Sequence, residues 1–134
     1  MKRLPPHRLP LLARLGITAA LALGCVTAGA VSDPDEAAGE LVGDLIFHAD
    51  LMSTLDTLCP VKGPTRDWRG VLRRVPADMR TPELRDLSRR LSADAARSMV
   101  RGSGGCGTRQ FSQVYAQTRN DYESLLEKWA LSSV

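Results

Sequence analysis

Two cysteines carry the plainest chemistry in this 134-residue sequence, Cys59 and Cys106. Paired thiols in an oxidising compartment close a disulfide. A bridge across this span adds about 4 kcal/mol by constraining the unfolded chain. Zinc is a poorer use of the pair, because zinc wants four ligands and His48 is the only histidine after residue 30. Asp44, His48 and Met52 fall at i, i+4 and i+8, a stripe of three donors for copper or zinc. No second ligand pair accompanies it, so no metal is expected. Asp56 projects toward the apolar side of its helix. A buried carboxylate needs a partner, so Asp56 should meet an arginine or cap a nearby helix, or else serve as a functional acid.

Arginine is the other group with evident chemistry. Its planar guanidinium grips carboxylates and phosphates through two hydrogen bonds. Arg66, Arg69 and Arg73 are spaced to lie near one another on one short helix, and Arg85, Arg89 and Arg90 to cluster on the next. Catalysis has less to stand on. A triad would have to use His48, and a bridge removes both thiols. The glycine-rich stretch Gly102–Gly107 follows a helix and lacks the Lys-Ser/Thr ending of a phosphate loop. No cofactor fingerprint is present, and no cofactor is expected.

These residues depend on a compartment. Lys2, Arg3, Arg8 and Arg14 make a basic start, an apolar run extends from Leu15 to Val26, and Ala28-Gly29-Ala30 supplies a small-x-small cleavage pattern. Residues 1–30 therefore read as a secretory signal peptide, with residues 31–134 as the single mature domain. The apolar run is too short for a membrane span. Ala22-Leu23-Gly24-Cys25 offers a second cleavage, resembling a bacterial lipobox with Ala22 where leucine is usual. Lipidation at Cys25 would tether the protein to a membrane through its acyl chain. The expected location is thus the bacterial periplasm, with a membrane-anchored lipoprotein as the alternative.

Cleavage changes the charge balance. The chain holds 18 Lys and Arg against 15 Asp and Glu, and the signal takes four of the basic residues and none of the acidic ones. The mature chain is left at −1, which removes the case for nucleic acid as a partner. Charge is also divided within it. Residues 31–61 carry seven acidic side chains and no Lys or Arg, whereas residues 62–109 carry 12 basic and five acidic. The two blocks can neutralise each other, or the arginines can face an anionic partner.

Helical periodicity runs throughout, so the fold class is all-α. Asp33 caps a first long helix with Pro34 at its first position, and Pro60 ends it near Leu58. Thr65 can cap a short helix carrying Trp68, Val71, Leu72 and Val75. Thr81 and Pro82 start a third with Leu84, Leu87 and Leu91 facing inward. Ser92 can cap a fourth, broken by Gly102–Gly105. Thr108 caps a last long helix whose stripe includes Phe111, Tyr115, Tyr122 and Trp129. Two long and about three short helices, tied at Cys59 and Cys106, make a small irregular bundle.

The first helix has surplus apolar surface. Phe47, Leu51 and Leu58 form a second stripe, so either the helix is covered on two sides or the stripe meets a partner. In helical outline and cysteine spacing the chain is similar to small periplasmic acid-stress chaperones and to pilotin lipoproteins of secretion systems. The expected function is that of a protein-binding accessory rather than an enzyme: an assembly or secretion factor, an inhibitor or immunity protein, or a chaperone. The partner would be another envelope or secreted protein, or a second copy, with Phe47, Leu51, Leu58, Arg66, Arg69 and Arg73 as candidate contacts. The rival is a small helical enzyme or a receptor for an anionic small molecule. Exposure of Phe47, Leu51 and Leu58 would favour the first, and a pocket where arginines and a carboxylate converge the second.

Overall fold

A computed structural model describes residues 34–60 and 66–132. The signal peptide, cleavage after Ala30, lipidation at Cys25, and the capping roles of Asp33 and Thr65 lie outside the described residues. Those that are described form three long α-helices and two 3-10 segments, with no strand among them.

Helix α1 (Pro34–Leu58) is the centre of the fold. Pro34 takes the first helical position, where its missing N–H is no loss, and Asp35 and Glu36 complement the positive end of the helix dipole. Val42, Leu45, Ile46, Ala49, Met52 and Leu55 are buried along one broad face, and Leu51 on another side is buried as well. A helix apolar around most of its circumference must be covered on several sides. The covering comes from the first 3-10 segment, the residue after it and the two later helices, which supply Trp68, Leu72, Val75, Ala96, Phe111 and Tyr122 to the same core.

Between α1 and the next long helix run a first 3-10 segment (Trp68–Arg74) and a second (Ala77–Met79). The sequence predicts a short α-helix at the first of these. Seven residues are too few to sustain an α-helix by themselves, and Pro76 prevents extension. The segment buries Trp68 and Leu72, followed by Val75.

Helix α2 (Pro82–Gly102) is capped as expected, the Thr81 hydroxyl accepting from Leu84 N–H at 3.2 Å. It then departs from expectation twice. The third and fourth helices are one continuous helix. Ser92 is fully buried in its middle and donates to the Arg89 carbonyl at 3.2 Å instead of capping. Nothing around Ser92 breaks a helix, so the backbone runs through it. In addition, Leu84 is only half-buried, and Leu87 and Leu91 are 44% and 51% exposed. The buried stripe is Ser88, Ser92 and Ala96, one turn apart on one face. A carboxylate on α1 sets this rotation. Asp50 is 2% exposed and accepts from Ser88 Oγ at 2.7 Å. Turning Ser88 away would leave one oxygen of this carboxylate without its donor, at a cost of about 1–3 kcal/mol.

A glycine turn follows. Gly104 and Gly105 have φ of +84° and +119°, and Gly105 N–H bonds the Val100 carbonyl at 3.0 Å. This is a Schellman ending, and its left-handed residue wants glycine. Helix α3 (Arg109–Ser132) begins at Thr108, whose hydroxyl accepts from Phe111 N–H at 3.1 Å. Cys59 and Cys106 are disulfide-bonded with Cα atoms 5.4 Å apart, joining the end of α1 to the turn before α3.

Candidate functional site

The residues singled out by sequence disperse in the fold. On the apolar stripe of α1, Leu51 is 4% exposed, Phe47 is half-buried against the core, and only Leu58 is open, at 41%. Leu51 is therefore part of the interior, and the stripe presents no continuous surface. Met52 is fully buried, while His48 Nδ1 lies 2.9 Å from the Asp44 carbonyl oxygen.

Among the described residues Asp56 meets neither an arginine nor a helix end. Its carboxylate accepts from Trp68 Nε1 and from Tyr115 Oη, each at 2.6 Å. One carboxylate thereby fastens the first 3-10 segment and α3 to the end of α1. Burial, and then the hydrogen bond to Asp56, push the Tyr115 phenol up to about 12. Burial also raises Tyr122, whose hydroxyl donates to the Trp68 carbonyl at 2.7 Å. A phenol raised in the fold is favoured there in its neutral form. Its stabilisation is complete below the ordinary value of about 10 and is lost as pH rises through 12. Stability should therefore fall between about pH 10 and about pH 12, and the fall should be smaller in Tyr115→Phe. Urea unfolding across that range, with phenolate absorbance followed in parallel, checks this. An unchanged pH dependence in the variant would count against the assignment.

The arginine triplet is split. Arg69 Nε donates to the buried Asp50 at 2.8 Å. An α-helix would set residues four apart nearly in line, whereas a 3-10 segment sets them about 120° apart. Arg73 accordingly points away from Arg69, toward solvent. Arg66 lies over the Trp68 ring, 4.4 Å from its centroid, and donates to Glu123 at 2.6 Å. Hydrogen bonding to Glu123 raises the Arg66 guanidinium further, so it stays charged.

Arg66 and Arg73 meet at a cleft of about 500 Å³ between the first 3-10 segment and α3. Arg74 joins them, with Asp67, Gly70, Val71, Tyr122 and Leu126 completing the lining. Arg73 Nη2 donates to Asp67 at 3.2 Å. Among the described residues Arg74 has no ion-pair partner. The cleft continues into a second hollow of about 390 Å³ lined by Val71, Arg74, Leu126, Trp129 and Ala130. Val71, Arg74 and Leu126 line both, so the two make one groove with a cationic head and an apolar shelf.

Of the groove's lining residues, sequence alone marks Arg66 and Arg73 as candidate contacts but not Arg74, Gly70, Leu126 or Trp129. Periodicity places Trp129 on the core stripe of the last helix, which a half-buried residue at a helix edge only partly joins. Asp50 was also missed, although a carboxylate between Ala49 and Leu51 is a readable signal. The chain matches no family model, no curated protein and no solved structure.

Proposed function

We propose that the protein is an exported binding accessory that engages other envelope or secreted proteins through the groove between the first 3-10 segment and α3. The observation that carries this reading is the groove's two-part character. Arg66 and Arg73 line one end, Trp129 and Ala130 the other, and Val71, Arg74 and Leu126 line both. Protein-binding surfaces combine aromatic and arginine anchors in this way. The Cys59–Cys106 bridge supports the exported compartment, because such bonds persist where the surroundings are oxidising. No helix among the described residues is long and apolar enough to cross a membrane.

One observation favours a second reading. Three arginines and Asp67 line a single cleft, as in a receptor for a small anion. Affinity capture from the envelope separates the two. The full-length tagged protein should retain partner proteins that an Arg73→Gln/Arg74→Gln variant loses. Identical protein recovery by both forms, or recovery of a small anion alone, would overturn the protein-partner reading.

A further inference from the structure

The groove already holds a carboxylate at its cationic end, and it belongs to the protein itself. Asp67 Oδ2 accepts from Arg73 Nη2 at 3.2 Å, with the two side chains 64% and 77% exposed. The pair closes over Gly70. A Cβ there would lie 3.0 Å from Asp67 Oδ2 and 3.2 Å from Arg73 Nη2, so a side chain at this position would make the two ends give by a few tenths of an ångström. An ion pair this exposed contributes little to stability and exchanges partners readily. Arg74, beside it, has no ion-pair partner among the described residues.

Resting on the groove reading above, we infer that Asp67 is an internal stand-in for a partner's carboxylate. The groove's occupant is a short polypeptide segment pairing an acidic side chain with an apolar one. The acid replaces Asp67 on Arg73 and engages Arg74, while the apolar side chain lies on the shelf of Val71, Leu126 and Trp129. From Tyr122 to Ala130 the α3 side of the groove spans roughly 12 Å, the reach of about four extended residues. The shelf is open to solvent. An isolated fatty acid would keep much of its chain wet there, whereas a peptide side chain is covered on its far side by its own protein.

The test uses end-blocked hexapeptides carrying one glutamate and one or two leucines at varied spacing, with glutamine counterparts and decanoate as controls. Binding to the full-length protein is read from tryptophan fluorescence. Glutamate peptides should bind more tightly than glutamine peptides. Arg73→Gln should weaken them about tenfold, and Asp67→Asn should tighten them about two- to fivefold. The gain from Asp67→Asn should vanish in the Arg73→Gln background, which a general loss of negative charge would not produce. Equal affinity of wild type and Asp67→Asn overturns the stand-in role and leaves the groove reading intact. No peptide binding to either form overturns the groove reading as well. Tighter binding of decanoate than of every glutamate peptide overturns the polypeptide assignment.

Discussion

Cys106→Ser should lower the unfolding free energy by about 4 kcal/mol. The bridge closes a loop of 47 sequence positions, and releasing it returns that closure entropy to the unfolded chain. A small domain has only about 5–15 kcal/mol in total, so the loss is a large fraction of it. Cys106 is the better partner to replace, because it is exposed whereas Cys59 is 4% exposed, and a serine at 59 would add a buried hydroxyl. Noncovalent contacts also hold the junction, since Asp56 ties both Trp68 and Tyr115 to the end of α1. The reduced protein should therefore keep its fold at low temperature and melt early. Urea unfolding of wild type with and without reductant checks this. The reduced wild type should coincide with Cys106→Ser in the absence of reductant, and a difference below about 1 kcal/mol between oxidised and reduced forms would contradict the prediction.

What the sequence disclosed was local. Thr81 and Thr108 cap where their spacing says they should, Pro34 and Pro82 open their helices, and Gly104 and Gly105 end α2. Each of those signals acts within about one helical turn. The all-α bundle and its disulfide follow from periodicity and from cysteine count. The groove was not legible, because it depends on winding. Arg69 and Arg73 fall together on an α-helix and apart on a 3-10 segment, and the seven residues before Val75 take the 3-10 form. The rotation of α2 was hidden for a related reason. Leu87 and Leu91 look like core residues, but Ser88 is drawn inward by a carboxylate 38 positions earlier. Local pattern carries no information about that pairing.

Asp50 is where the second large effect should appear, and the larger cost should come from removing its partner. Asp50 is 2% exposed and holds Arg69 at 2.8 Å and Ser88 at 2.7 Å, which joins α1 to the first 3-10 segment and to α2. Arg69→Met keeps most of the arginine stem but strands the carboxylate, with one hydroxyl as its remaining donor. Breaking a buried pair in this way costs about 3–5 kcal/mol. Because the Arg69 side chain is 45% exposed, water can approach, which places the expected loss near about 3 kcal/mol. Asp50→Asn leaves a neutral acceptor for Ser88 and lets Arg69 turn to solvent, so about 1–2 kcal/mol is expected. Replacing both buried polar groups, as in Asp50→Leu/Ser88→Ala, should bring stability back toward that of the wild type. Urea unfolding of the three variants tests the order. A smaller loss in Arg69→Met than in Asp50→Asn would show that the carboxylate is hydrated and that burial does not set the rotation of α2. The same contact fixes which way the 3-10 segment faces, since anchoring Arg69 inward leaves Arg66, Arg73 and Arg74 for the groove. Arg69→Met should accordingly weaken capture of groove partners at temperatures where the variant is still folded, and Asp50→Leu/Ser88→Ala should weaken it too despite its restored stability.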